Sequence, residues 1–298
     1  MSENPNSFVE SNYQGKYRDR LFKAIFGRNT EQSKRWRLEL YNALNNTSYS
    51  DPDELEVNTI ENIIYIKMHN DVSFLIDSQM NLYEHQSTPN PNMPLRGLFY
   101  FAQLYQKQLD KEDKNLLSTQ LVKIPNPNFI VFYNGETERP ENYKLRLSDA
   151  FAVEDKSGNF EWTATVININ KNYNKTLQKK CKPLYDYVSY VSRITDNKKN
   201  GMSAEDAVNE AVDWACKNNL LEGFIRSQKE EVIAMSMTEY DEEACIRAWR
   251  RDGIAIGREE KAIEAAKAFL ADGKYTAEEI AAILNIPVET FCEQTQRS

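Results

Sequence analysis

The stretch NDVSFLIDSQMNLYEHQS, Asn70 to Ser87, decides how the chain is read. Two runs rich in apolar residues flank a short polar break, the pattern of a tight β-hairpin. Asp71 opens the first strand, and Glu84, His85 and Gln86 close the second. Side chains alternate between faces along a strand. Asp71, Ser73, Leu75 and Asp77 therefore share one side, as do Met80, Leu82, Glu84 and Gln86. With the turn centred on Ser78-Gln79, Asp71 lies opposite Gln86 and Ser73 opposite Glu84. Asp71 and Glu84 are then diagonal neighbours, roughly 7–8 Å apart. Two carboxylates converging there repel each other unless a cation lies between them. Oxygen ligands of this kind suit a hard ion such as Mg²⁺. Asp77 shares the face of Asp71 but sits beside the turn, where aspartate is common for backbone reasons.

An aspartate, a hairpin's length of chain and then Glu-x-Gln resembles the PD-(D/E)XK nuclease pattern, in which the last position is lysine. The flanking segments narrow the resemblance. DRLFKAIFG (Asp19 to Gly27), NDVSFLID and EHQSTPNPNMPLR (Glu84 to Arg96) are similar to the Rpn family, the recombination-promoting nucleases or PD-(D/E)XK nuclease family transposases. The likeness continues through FIVFYNG (Phe129 to Gly135), AVDWACKNNLLEGFI (Ala211 to Ile225) and EVIAMSMTEYDEE (Glu231 to Glu243). It implies an α/β fold with a restriction-endonuclease-like αβββαβ core over residues 1–170. A helical region over 171–298 follows, ending in a helix-turn-helix-like tail. The implied activity is that of a Mg²⁺-dependent endodeoxyribonuclease in DNA recombination or transposition. Asp71 and Glu84 would hold the metal, and Gln86 would stand in for the motif lysine. The first core helix of such folds sometimes lends a glutamate, which makes Glu39 a further candidate. The alternative is a DNA-binding or protein-interaction module with the same fold and a decayed site.

Composition agrees with an ordinary globular protein: 298 residues, 41% hydrophobic and 11% aromatic, with only ten glycines. No apolar run approaches a membrane span, and the start MSENPNSF lacks the basic and apolar regions of a signal peptide. The cysteines Cys181, Cys216, Cys245 and Cys292 are scattered without CxxC spacing, as in a reduced cytoplasmic protein. The net charge of −8 argues against a nucleic-acid partner, but its distribution does not. Residues 203–298 hold 20 acids and 11 bases, leaving 25 acids and 26 bases before them. Lys16 to Arg37 holds eight bases against Asp19 and Glu31, and Lys171 to Lys182 holds no acid. Such runs are expected either to contact DNA phosphates or to be solvated helix faces.

Helices are expected at Tyr17–Phe26 and Thr30–Asn45, with Gly27 between them and Thr30 as N-cap. Strands are expected at Thr59–Lys67, Asn128–Asn134, Tyr143–Phe151 and Phe160–Ile169. The helix Met93–Leu109, with Asn92 as cap and Pro94 in its first turn, shows two stripes. Leu95, Leu98, Phe99 and Ala102 form the apolar one, expected to pack. Arg96, Tyr100, Gln103 and Lys107 form the polar one, expected to contact DNA, with Arg96 as phosphate clamp. From Lys182 the chain reads as helices at Leu184–Ile194, Ala204–Cys216, Leu220–Met235 and Asp241–Leu270. The last is charged and Ala-rich, expected to be either a solvent-exposed helix or a self-associating one that would form a homo-oligomer. Thr276 to Glu279 is a capping box.

His85 faces away from Glu84 and Gln86 by strand alternation and is expected to be structural, and His69 has no visible partner. Glutamine at 86 can hold a water by hydrogen bonds but brings no positive charge. The sequence has no GxSxG, GxxxxGK or GxGxxG motif.

Overall fold

The computed structural model describes residues 17–54, 56–57, 72–76, 78–154 and 157–237, and isolated positions at 261, 264–265, 269, 276 and 279–280. The chain divides into two compact units, Met1–Glu239 and Tyr240–Ser298. The boundary expected at residue 170 falls inside the first unit.

The first unit is built on one mixed sheet. Its strands are β1 (Glu56–Val57), β2 (Val72–Ile76), β3 (Gln79–Gln86), β4 (Asn126–Tyr133), β5 (Asn142–Arg146) and β6 (Thr163–Asn168). They lie in the order β1-β2-β3-β4-β6-β5. The first three form an antiparallel meander, β3, β4 and β6 are parallel, and β5 closes the far edge antiparallel to β6. The apolar run of β4 sits between two parallel neighbours, where both faces are covered. The strand expected at Thr59–Lys67 lies outside the described residues.

Helices cover both faces. α1 (Tyr17–Phe26) and α2 (Glu31–Asn45) match their expected spans, and the Thr30 side chain accepts from the backbone N–H of Ser33 at 3.2 Å. With α5 (Lys182–Lys199) they cover one face, where Phe22, Phe74, Tyr83, Phe132 and Tyr187 form a chain of aromatic contacts. α3 (Met93–Lys111) covers the other, over Leu75, Met80, Leu82, Phe129, Val131 and Val166. Further helices are α4 (Lys175–Lys180), α6 (Ala204–Lys217) and α7 (Phe224–Ser227). No helix among the described residues is long and apolar enough to cross a membrane.

Three expectations are corrected. Ile76 pairs with Gln79, so the two-residue connection lies one residue earlier than expected, and Ser73 pairs with Leu82 rather than Glu84. Ser78, with φ 59°, takes the positive φ that such a connection needs at its second position, which leaves Gln79 to begin the strand. The expected apolar stripe of α3 is not its buried face. Leu95 and Phe99 are 39% and 43% exposed and Ala102 is exposed, while Met93, Gly97, Tyr100, Phe101 and Leu104 are buried. The sheet takes the face carrying the larger rings, and Gly97 lets the helix close on Phe129. Finally, the helix expected at Leu220–Met235 is broken. Asn219, Leu221, Glu222 and Gly223 have positive φ, and the buried Asp186 carboxylate accepts the N–H of Leu221 at 2.9 Å. A backbone donor held by a side chain cannot serve a helical ladder. Helix resumes at α7 and again from residue 229.

In the second unit, residues 261, 264, 265 and 269 are helical. The capping box is present: the Thr276 hydroxyl accepts from Glu279 N–H at 3.3 Å, and the Glu279 carboxylate accepts from Thr276 N–H at 2.9 Å.

Candidate functional site

β3 carries two environments in successive residues. On the α3 side, Glu84 is only 1% exposed. Arg96, in the first turns of α3, donates from Nη2 to Glu84 Oε2 at 3.3 Å and to the Tyr100 hydroxyl at 3.0 Å. Its guanidinium also lies 5.7 Å from the Tyr100 ring centre and donates from Nη1 to Met93 Sδ at 3.6 Å. A buried carboxylate is tolerated when an opposite charge and hydrogen bonds replace its water. Arg96 supplies that charge here.

Gln86 is half-buried at the end of β3, beside Tyr133 in the parallel ladder. Its carbonyl accepts the Asn134 N–H at 3.0 Å. A Cβ on Gly135 would stand 2.1 Å from the Ser87 carbonyl oxygen, so only glycine permits this approach between the two strand ends. Arg18, buried on α1, donates to the Asn134 carbonyl at 2.9 Å.

On the opposite face His85 is fully buried. Its Nδ1 is 2.5 Å from Asp19 Oδ1, and its Nε2 is 2.9 Å from the Tyr187 hydroxyl, which is 3.2 Å from the Arg18 carbonyl. Both ring nitrogens are thus held by α1 and α5, as a structural histidine requires. Asp19 and Tyr187 are partners that no spacing in the sequence reveals.

The structure brings Glu84, Arg96 and Tyr100 together. Tyr100 belongs to the core rather than to an exposed polar stripe, because its ring is the face α3 presents to the sheet. Gln103 is half-buried and Lys107 exposed. At 1.5 Å per residue Lys107 stands about 16 Å along the helix from Arg96, so the four residues do not converge. Asp71, Asp77 and His69 lie outside the described residues. Among the described residues, no three His, Cys, Asp or Glu form a group able to hold a metal ion. Glu39 is not beside Glu84: its carboxylate accepts the Lys182 N–H at 2.6 Å at the start of α5, and burial raises its pKa.

The basic runs are largely engaged within the fold. Arg37 is wholly buried and donates to the Phe26 and Arg28 carbonyls at 2.7 and 2.9 Å, a cation at a helix C-terminus. Desolvation lowers its pKa to about 10. Arg28 pairs with Glu231, Lys34 with Glu31 and Asp53, and Arg35 with Glu222. In the second run Lys171 pairs with Asp196 and Lys182 with Asp186, while Lys175 and Lys179 are exposed. Net charge along a sequence window does not register such pairing.

No curated protein and no solved structure matches the chain. A family model described as "Putative transposase, YhgA-like" matches residues 19–198, from Asp19 of the His85 pair to nearly the end of α5. That span takes in every named strand, the buried Glu84 and its Arg96 partner, and the chain belongs to this YhgA-like, Rpn-type transposase family.

Proposed function

We propose that the chain is a metal-dependent DNA endonuclease of the PD-(D/E)XK type, hydrolysing phosphodiester bonds in recombination or transposition. The observation that carries this reading is Glu84, a carboxylate buried at the end of a strand, two residues before Gln86 and beside a guanidinium. The element order supports it. Helices, an antiparallel three-strand meander, α3 and then β4 parallel to β3 are compatible with the αβββαβ sequence that the resemblance implies. Asp71, the second carboxylate of this reading, directly precedes Val72 in the sequence, and Val72 pairs with Tyr83, the residue before Glu84.

On this reading Asp71 and Glu84 would hold Mg²⁺, whose donor chemistry they match. When bound, the ion would polarise the phosphodiester and lower the pKa of an attacking water. Gln86 would orient that water through its amide, as donor and acceptor, without adding charge. Arg96 would bind a phosphate oxygen through its planar fork, with Tyr100 holding the guanidinium in place. Gln103 and Lys107 would meet the backbone farther along the duplex. The roughly 16 Å from Arg96 to Lys107 corresponds to about five base-pair steps.

Plasmid nicking in Mg²⁺ and in EDTA, with wild type, Asp71→Ala and Glu84→Ala at matched purity, tests this. Metal-dependent cleavage lost in both variants is the expected result. Cleavage surviving both would remove the site assignment. Gln86 in place of lysine favours one other reading, a decayed site on a DNA-binding or interaction module. Wild type that binds the plasmid without cutting it would select that reading.

A further inference from the structure

We propose that the connection between α3 and β4, residues 112–125, is a wedge that enters duplex DNA: Leu116 and Leu117 insert at a base step while Lys123 meets a flanking phosphate. This inference rests on the reading of the chain as a DNA endonuclease. It names a substrate feature which that reading leaves open, duplex that unstacks easily.

The connection runs from Lys111 to Asn126. Most connections in compact domains are about 4–6 residues long, and loops of this length are uncommon unless functional or disordered. This one is ordered by its own bonds. Lys114 Nζ donates to the Lys123 carbonyl at 3.2 Å across its base, and the Tyr105 hydroxyl donates to the Pro125 carbonyl at 2.8 Å. Near its tip, Leu117 N–H donates to Asn115 Oδ1 at 2.8 Å, and Ser118 N–H to the Asn115 carbonyl at 3.1 Å. Gln120 N–H donates to Ser118 Oγ at 3.2 Å. What this backbone holds up is apolar: Leu116, Leu117 and Leu121 are 67%, 92% and 80% exposed. Ordering before binding lowers the entropy lost when a partner arrives.

The surrounding residues identify the partner. From Lys114 to Gly135 the sequence holds no acidic residue, although the chain carries a net charge of −8. Lys123 is exposed and has no ion-pair partner among the described residues. Asn115, Ser118, Thr119 and Gln120, interleaved with the leucines, are exposed and bring amide and hydroxyl groups. Proteins that unstack a base step from the minor groove combine apolar wedges with lysine and side-chain amides in this way. A second copy of the chain fits less well. Leu117 touches almost nothing of its own chain and so protrudes, whereas a stable protein interface needs a broad contiguous patch, about 1,200–2,000 Å² in all.

The loop also stands apart from Glu84. It re-enters the sheet at Asn126, which pairs with Gln79, while Gln86 pairs with Tyr133 at the other end of the same ladder. At about 3.3 Å per residue the two ends are roughly 23 Å apart, close to seven base-pair steps.

Fluorescence anisotropy of short labelled duplexes with the full chain in EDTA tests binding apart from cleavage. One duplex is fully matched and the other has a central mismatch, where unstacking costs less. Wild type should bind the mismatched duplex about tenfold more tightly. Leu116→Ser combined with Leu117→Ser should bring that ratio to within about twofold. Its affinity for matched duplex should stay within about threefold of wild type, because phosphate contacts supply most of the binding. A wild-type ratio near one, or a ratio that the double variant keeps, overturns the wedge and leaves the endonuclease reading standing. Absence of binding to either duplex overturns that reading, and this inference with it. Light scattering that finds wild type dimeric and the double variant monomeric assigns the loop to a second copy and equally overturns the wedge. Leu117→Ser alone replaces the double variant if the latter does not fold, and is held to the same criterion.

Discussion

Gly97→Ala sets two effects of opposite sign against each other, and the geometry decides between them. In an exposed helix the change is favourable by about 1 kcal/mol, because alanine loses less backbone entropy than glycine. At this position a Cβ would stand 2.2 and 2.5 Å from Phe129 ring carbons and 3.0 Å from a third. Ordinary carbon contacts are about 3.5–4.0 Å, so roughly 1.3 Å or more of separation must be found. The Phe129 ring cannot readily yield it. Phe129 is 5% exposed, packs edge-on to Phe101 with ring centres 6.2 Å apart, and sits on the central parallel strand. Helix and sheet must part instead, at a cost of about 1–3 kcal/mol for overpacking. Because the clash lies near the severe end, the expected net loss is about 1–2 kcal/mol, read as a lower urea midpoint at unchanged slope. A midpoint at or above wild type would refute the claim that Gly97 exists to let α3 close on the sheet. Since Arg96 is the neighbouring residue, the same variant should also weaken its contact with Glu84.

Tyr187→Phe removes the hydroxyl that holds His85 Nε2 and leaves a buried ring nitrogen without that partner, costing about 1–3 kcal/mol in urea unfolding. A loss below about 0.5 kcal/mol would show that Asp19 alone suffices to hold the ring. Glu39 has a raised folded pKa, chiefly through burial, so the folded state binds its proton more tightly than the unfolded state. Its ionisation therefore lowers stability as pH climbs from the unfolded value through the folded one. Glu39→Gln should unfold at higher temperature than wild type at neutral pH, with the gap closing at pH values below the unfolded carboxylate pKa. A gap that persists unchanged in acid would contradict that origin.

The elements legible in the sequence are those whose signal is local. The Thr30 cap, the α1 and α2 spans and the Thr276–Glu279 box depend on residues within one turn of each other. The apolar β4 run and the alternation that separates Glu84 from His85 are local too. What failed depended on distant partners. Nothing local in α3 marks Gly97 and Tyr100 as inward-facing; the close approach of Gly97 to Phe129 and the packing of Tyr100 on the sheet do. The break at Leu221 is imposed by Asp186, thirty-five residues earlier. The basic runs looked available because their acidic partners, such as Glu222 and Glu231, lie far away in sequence. The contact between Glu84 and Arg96 is likewise absent from the sequence reading, because it joins the end of β3 to the start of α3.

The tripeptide Glu84-His85-Gln86 is threaded between two incompatible surroundings, and this makes the strand intolerant of any odd-numbered shift. Moving β3 by one residue would drive the Glu84 carboxylate among Phe22, Phe132 and Tyr187 and turn the imidazole toward Arg96. An insertion or deletion within β3 would thus abolish folding and site in a single event. Point substitutions at 84 or 86 leave the aromatic side untouched. If the proposed chemistry were lost in a lineage, the strand's phase and His85 would be expected to persist while the residues at positions 84 and 86 drift.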